Sequence, residues 1–161
     1  MTGRRRYTPA DWPAVCRIHD AARPLELAAG GVDARAFRPM AEVAEADEFF
    51  DSQTLVATSE HGEIVGFVSW NADKVTWLYV DPAHHRRGIG RALLAEAIAR
   101  IGPQAWTNCV GGNAAALALY QSAGMELVFE RPSDVEGYAC TGCRVALATS
   151  RMRHPAARRE R

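Results

Sequence analysis

Residues 75–91 read VTWLYVDPAHHRRGIGR, an apolar run followed by a short basic segment that holds two glycines. The apolar run predicts a β-strand, and the residues from 91 to 100 predict a helix. The chain therefore passes from a strand through a glycine loop into a helix N-terminus. This geometry binds phosphate, because the free N–H groups of the first helical turn and the helix dipole both favour an anion.

The residue types in the loop suit the same purpose. Gly88 and Gly90 lack a Cβ atom, so an anion can approach the backbone closely. Hydrogen-bond donors and positive charge come from His85, Arg86, Arg87 and Arg91. The loop is neither a Walker A motif, which needs Gly-Lys-Ser/Thr, nor a dinucleotide fingerprint, which needs three glycines. An ordinary strand–turn–helix junction is the alternative interpretation.

A second motif lies at residues 113–125, which read NAAALALYQSAGM. Asn113 is a favourable N-cap after a glycine pair, and Gly124 suits the position just after a helix. The apolar residues between them recur at helical spacing, which predicts a helix over 113–123. Tyr120 on this helix is either a functional hydroxyl or a core aromatic ring.

Together the two motifs resemble those of the GNAT N-acetyltransferase superfamily. Residues 85–90 are similar to the family's Gln/Arg-x-x-Gly-x-Gly/Ala loop, with His85 at the first position. Residues 113–125 resemble the segment that follows the fifth strand of the family, with Met125 in place of the usual Phe. The resemblance covers residues 3–149, strongly over 75–125 and by pattern elsewhere.

The pattern along the chain predicts the element order β-α-α-β-β-β-α-β-α-β-β, which is the order of the GNAT fold. We expect an α/β (α+β) domain over residues 1–150, with a central mixed, mostly antiparallel seven-stranded sheet flanked by about four helices. The Arg-rich residues 151–161 are expected to form a basic, disordered tail. The predicted strands are 4–7, 54–59, 64–71, 74–80, 104–110, 126–131 and 139–149, and the predicted helices are 9–22, 33–50, 90–101 and 113–123.

The resemblance implies an enzyme that moves an acetyl group from acetyl-CoA, its co-substrate, to a primary amine by direct attack in a ternary complex. It places the coenzyme pyrophosphate on the loop residues His85, Arg86, Arg87, Gly88, Ile89, Gly90 and Arg91. It also places the backbone of Leu78 and Val80 beside the pantetheine amides, and Asn113 near the pantetheine arm. In this scheme Tyr120 protonates the departing thiolate.

The sequence does not single out a general base. Some family members carry a Glu where this chain has Lys74, which cannot accept a proton while it is charged. Other titratable candidates are Asp73, Glu26, His19 and Asp81, but an ordinary surface residue is the better interpretation of each. A water relay, or attack by an amine that is already neutral, would need none of them.

The acceptor is expected to be a small-molecule or peptide amine, which family members bind between the first two helices and the final hairpin. The candidate residues in these regions are Arg23, Glu26, Phe37, Trp70, Trp77, Tyr79 and Tyr138. A solvated acidic face and burial of the aromatic rings explain the same residues without a function. A homodimer is left open.

Composition limits the other classes of function. The 161 residues carry no formal net charge, and no aromatic stretch is interleaved with basic residues, so no nucleic-acid partner is predicted for the Arg-rich ends. No apolar run approaches about 18 residues, and no apolar segment follows the N-terminal arginines. We therefore expect no membrane partner and a cytoplasmic location. Because no base is evident, a non-catalytic acyl-CoA-binding sensor or regulatory domain is the alternative function.

The four cysteines do not predict a metal site. Cys16 and Cys109 are expected to be small core residues. Cys140 and Cys143 form a lone C-x-x-C motif without a second pair of ligands, so a strand hairpin is the better interpretation.

Overall fold

A computed structural model describes residues 3–151, which contain one mixed sheet of seven strands. The strands are β1 (Gly3–Arg6), β2 (Gln53–Thr58), β3 (Ile64–Asn71), β4 (Lys74–Val80), β5 (Trp106–Val110), β6 (Met125–Val135) and β7 (Tyr138–Leu147). Their order across the sheet is β1-β2-β3-β4-β5-β7-β6, and every neighbouring pair is antiparallel except β4–β5. The predicted mixed, mostly antiparallel sheet is confirmed.

The helices that accompany the sheet are α1 (Trp12–Ala29), α2 (Met40–Val43), α3 (Ile89–Ile101), α4 (Ala114–Ser122) and the single turn α5 (Ala148–Arg151). The predicted order from β1 to β7 is confirmed. Among residues 3–151, no helix combines the length and the apolar character needed to span a membrane. The tail predicted for 151–161 lies outside the described residues except for Arg151.

Both faces of the sheet are covered. On one face the apolar sides of α3 and α4 join the buried cluster that contains Leu93, Leu94, Ala97 and Tyr120. On the other face α1 and the segment around α2 form a second buried cluster with the strands, which contains Ile18, Met40, Phe49, Phe67 and Trp77. The packing of these two clusters holds α1, α3 and α4 in place around the carboxyl end of β4.

The prediction of a second long helix over 33–50 is wrong. The structure has a 3-10 turn at Ala34–Ala36 and the single-turn α2, followed by turns. Pro39 explains the break, because proline removes a backbone donor and pushes the preceding residue out of the helical region. In contrast, α1 continues beyond the predicted end near residue 22 and stops only at the glycine pair 30–31, where Gly31 has φ +67°.

The sheet opens between β4 and β5. Only Lys74 and Trp106, at the amino ends of the two parallel strands, are paired in the ladder. One residue further along, the Thr107 hydroxyl donates to the Val75 carbonyl at 2.7 Å. Beyond this point the strands diverge, so the carboxyl-terminal half of β4 has a ladder partner on the β3 side only. The site described below lies at this opening.

Candidate active site

Two clefts meet where β4 and β5 diverge. The loop cleft, of about 660 Å³, lies between the carboxyl end of β4, the loop 84–91 and the α4 helix. The hairpin cleft, of about 460 Å³, lies between α1, the segment around α2, β4, β5 and the β6–β7 hairpin. Five residues line both clefts, namely Glu26, Leu78, Tyr79, Cys109 and Tyr120. Two ligands, one bound in each cleft, would therefore meet at these five residues.

The loop presents backbone N–H groups to the loop cleft. Gly88 is the N-cap of α3 with φ +78°, a conformation that favours glycine, and no side chain caps the helix. The first N–H groups of α3 consequently have no partner within the helix and are available to an anion. A Cβ atom at Gly90 would lie 3.5 Å from Val80 Cγ2 and 3.6 Å from Leu119 Cδ2, so alanine fits there and a longer side chain would enter the cleft.

The side chains of the loop have different roles. Arg86 and Arg91 line the loop cleft, whereas Arg87 is exposed and lies outside the lining. Ile89 also lines the loop cleft, although its side chain is buried in the core. His85 Nε2 lies 2.9 Å from the Val80 carbonyl, and because a carbonyl only accepts, this nitrogen donates. His85 thus ties the loop to β4.

His84 lines the same cleft and was not among the predicted binding residues. Its Nδ1 atom is the one buried side-chain nitrogen or oxygen in the described part of the chain that lacks a hydrogen-bond partner. Buried polar atoms are normally paired, so this nitrogen suits a donor or acceptor supplied by a ligand or by water.

The backbone of β4 presents hydrogen-bonding groups to the opening, as the resemblance implied for Leu78 and Val80. The Asp81 N–H donates to the Val65 carbonyl at 2.8 Å, which is on the β3 side. Since alternate residues of a strand point their backbone groups to opposite edges, those of Val80 and Leu78 point to the edge from which β5 departs. The Val80 carbonyl is occupied by His85, which leaves the Val80 N–H and both groups of Leu78.

Asn113 and Tyr120 are brought to the loop cleft by α4. Asn113 is the N-cap, as predicted, and its Oδ1 accepts from the Ala116 N–H at 3.2 Å. Tyr120 is 9% exposed, and its hydroxyl makes no hydrogen bond within residues 3–151. Burial raises the pKa of Tyr120 above its ordinary value, and the nearby Cys109 and Glu26 raise it further. The hydroxyl therefore stays protonated and can donate a proton.

Cys109 is one of the five residues that line both clefts, whereas the sequence predicted it to be a small core residue. Burial, followed by the nearby Cys143, raises the pKa of the Cys109 thiol to about 12, so it remains a neutral thiol rather than a nucleophilic thiolate. Its position follows from the pairing of β5 with β7, where Cys109 is opposite Cys143. Nothing in the local sequence around Cys109 distinguishes this place from the core.

The structure separates the candidate bases. Asp73 accepts from the Trp106 indole N–H at 3.0 Å, and Asp81 pairs with Arg17 at 2.6 Å, and neither lines a cleft. Lys74 lies 3.8 Å from Glu48 in an ion pair. Of the four residues predicted as possible bases, only Glu26 and His19 line the hairpin cleft.

The residues predicted to bind the acceptor amine also fall into two groups, those that line the hairpin cleft and those that lie outside it. Arg23, Glu26, Trp77 and Tyr79 line the hairpin cleft. The prediction is wrong for Trp70, which is buried in the cluster on the opposite face of the sheet. Phe37 stacks on His19, and Tyr138 lies under Arg35, both outside the cleft lining. The lining also includes charged residues that were missed, among them Arg38, Asp47, Glu48, Arg131, Asp134 and Glu136.

The cysteine pair of the C-x-x-C motif lies on β7, in the predicted hairpin. Cys143 is buried and Cys140 is half-buried, and all four cysteines are free thiols. Within residues 3–151 no group of three or more His, Cys, Asp or Glu side chains is arranged to hold a metal ion.

Comparison with known proteins agrees with this geometry. The family model described as the acetyltransferase (GNAT) domain matches residues 50–126, which include β4, the loop and α4. Over these residues the chain matches the GNAT acetyltransferase family, and its sheet has the GNAT fold. Acetyl-CoA is the co-substrate of this family.

Solved structures share the GNAT fold over nearly the whole chain. The ribosomal-protein-S18-alanine N-acetyltransferase from Escherichia coli is 22% identical with a TM-score of 0.69, covering 100% of this chain and 99% of that chain. YncA from Salmonella typhimurium, solved with its cofactor acetyl-CoA, is 25% identical with a TM-score of 0.65 and coverage of 91% and 94%. A phosphinothricin acetyltransferase from Sinorhizobium meliloti, solved in complex with acetyl-CoA, is 20% identical with a TM-score of 0.68 and coverage of 89% and 86%.

Proposed function

We propose that this protein transfers the acetyl group of acetyl-CoA to a primary amine by direct attack within a ternary complex. The observation that carries the proposal is the junction of the two clefts at Glu26, Leu78, Tyr79, Cys109 and Tyr120. A donor in the loop cleft and an amine in the hairpin cleft would touch only there. The neutral Cys109 thiol supports direct attack, because a protein acyl-thioester intermediate would need a thiolate.

The loop cleft suits the parts of acetyl-CoA in turn. The free N–H groups at the start of α3, with Arg86 and Arg91 beside them, would hold the pyrophosphate. The backbone groups of Leu78 and Val80 on the open edge of β4 would pair with the pantetheine amides, and Asn113 lies on the same wall. The protein supplies these donors already in place, so little ordering is required when the ligand binds.

Two protein groups would then act on the reaction. A β4 backbone N–H at the junction would polarise the thioester carbonyl and stabilise the oxyanion that develops, a contribution of about 100-fold or more. Tyr120 would protonate the thiolate as the carbon–sulfur bond breaks, a contribution of roughly 100-fold. The amine would arrive through the hairpin cleft, whose lining is rich in charged side chains.

The acceptor class is a small-molecule or peptide amine. The relatives named above act on a ribosomal protein in one case and carry the name of a small amine in another. The hairpin cleft holds acidic and basic side chains together, with ion pairs of Arg23–Glu26, Lys74–Glu48 and Arg38–Glu136. These charges suit a polar acceptor rather than an apolar one.

A thiol-release screen tests the proposal directly. Purified protein, acetyl-CoA and a panel of amines, amino acids and peptides with free N-termini are combined, and free coenzyme A thiol and acetylated product are measured. We expect turnover that depends on both the amine and the protein. Binding of acetyl-CoA without turnover of any amine would instead favour the acyl-CoA sensor.

A further inference from the structure

Glu26 occupies the junction of the two clefts and has no role in the scheme given so far. It lies on α1, across the opening from Tyr120 on α4. Its Oε2 atom accepts from the Tyr79 hydroxyl at 2.8 Å, and its Oε1 atom lies 3.1 Å from an Arg23 guanidinium nitrogen. Two partners on two elements therefore fix the carboxylate, whose side chain is 24% exposed.

The groups that face Glu26 come from four elements. Arg23 and His19 lie on α1 itself, Tyr79 on β4, Cys109 on β5 and Tyr120 on α4. Burial raises the pKa values of Tyr79, Cys109 and Tyr120 and lowers that of His19, so around neutral pH these four groups are uncharged. Glu26 lies beside the guanidinium of Arg23, which lines the hairpin cleft only.

The other carboxylates near the site line at most one of the two clefts, and Asp47, Glu48, Asp134 and Glu136 line only the hairpin cleft. Asp73 and Asp81 hold Trp106 and Arg17 outside both clefts, and Glu48 pairs with Lys74. Lys74 itself stands where some family members carry a Glu. Among the described residues, Glu26 is the only carboxylate that lines both clefts.

We propose that Glu26 is the catalytic base of this protein, taking the proton from the amine that attacks the thioester. The inference rests on the proposed function and assigns the general base, which is the one role that the scheme above left open. Tyr79 and Arg23 act as positioning residues, because they orient the carboxylate through the hydrogen bond and the ion pair.

The proton balance of the step closes. An amine that arrives as its ammonium first loses one proton to the Glu26 carboxylate, which passes it to solvent. The neutral nitrogen then forms a bond to the carbonyl carbon, and its second proton passes to the same carboxylate directly or through one water. The carbon–sulfur bond breaks, and the thiolate takes the Tyr120 proton. Glu26 then loses its proton and Tyr120 regains one by exchange with solvent through the hairpin cleft, so that an amide, free coenzyme A and the starting enzyme result.

The test uses Glu26→Gln, which keeps an oxygen for the Tyr79 hydroxyl and removes the base. Glu96→Gln is the matched control, since Glu96 on α3 forms ion pairs with Arg4 of β1 and Arg100 of α3 and lines neither cleft. Two acceptors of similar size are compared, ethylamine, which is cationic at neutral pH, and trifluoroethylamine, which is neutral. Acetyl-CoA affinity and melting temperature are measured on each variant.

With ethylamine at pH 7 we expect kcat of Glu26→Gln to fall by about 100-fold or more, because a positioned base contributes roughly 100- to 10,000-fold. The loss should shrink as pH rises and the free amine becomes neutral. With trifluoroethylamine the loss should be under about 10-fold, since the ammonium formed on attack is acidic enough to lose its proton to water. Glu96→Gln should match wild type in both reactions.

Three outcomes overturn the inference. Equal losses with the two amines would indicate a structural role, and a raised KM for ethylamine with unchanged kcat would indicate that Glu26 only attracts the cation. An equivalent loss in His19→Gln with full activity in Glu26→Gln would move the base to His19. Failure of the proposed function is distinct, because wild type would then release no thiol with any amine, and the inference would fall with it.

Discussion

Replacing Tyr120 by Phe is expected to lower kcat by about 10- to 100-fold while acetyl-CoA affinity stays close to wild type. The substitution removes only the hydroxyl, and this hydroxyl makes no hydrogen bond within residues 3–151 that would be lost. Packing of the ring against the core is preserved, because Tyr120 is buried through its ring. The loss should be smaller with an acyl donor whose thiol is more acidic, since that leaving group needs less help from a proton.

Tyr138→Phe is the matched control, because Tyr138 lies under Arg35 and lines neither cleft. Its kcat should equal that of wild type. If Tyr120 serves only in the core, Tyr120→Phe should lower the melting temperature and leave kcat per folded molecule unchanged. That pattern would remove the proton donor from the scheme.

Replacing Gly90 by Glu is expected to weaken acetyl-CoA binding by about 10- to 100-fold. The new carboxylate would point into the space beside Val80 and Leu119 and repel the pyrophosphate at the start of α3. Loss of one hydrogen bond to a charged group costs about 1.5–3 kcal/mol, which corresponds to this range. Titration calorimetry with acetyl-CoA measures the change.

Gly90→Ala isolates the effect of charge and length. Its Cβ atom would make ordinary contacts of 3.5 and 3.6 Å, so its affinity should remain near that of wild type. Gly88 offers no such control, because φ +78° makes any side chain there strained. A folded Gly90→Glu protein with unchanged affinity would place the coenzyme elsewhere.

The loop and α4 could be predicted from sequence because their signals are local. Gly88 adopts the positive φ that its residue type favours, and Asn113 caps α4 as its position indicates. Strand β4 matched the predicted residues 74–80 because its apolar pattern is bounded by polar turn residues. Each of these features depends on a few consecutive residues.

The predictions that failed concern features that depend on tertiary contacts. The apolar spacing over 33–50 indicated a helix, but Pro39 broke it, and the segment reaches the core in turns. Trp70 lies in the same buried cluster as Val68, as the alternation along a strand requires, but the sequence did not show which face of β3 is turned away from the site. The place of Cys109 and Glu26 at one junction depends on how β5 and α1 meet β4, and no local pattern encodes it.

The central claim, that acetyl-CoA binds in the loop cleft, is tested most directly by the melting temperature of the protein during titration with acetyl-CoA. A ligand that binds only the native state stabilises it by about 2.7 kcal/mol at a hundred times its dissociation constant. For a domain of this size that corresponds to a rise of roughly 5–10 °C. We predict a saturable rise in this range for wild type and Gly90→Ala, and a much smaller one for Gly90→Glu. No shift for wild type at millimolar acetyl-CoA would contradict the claim.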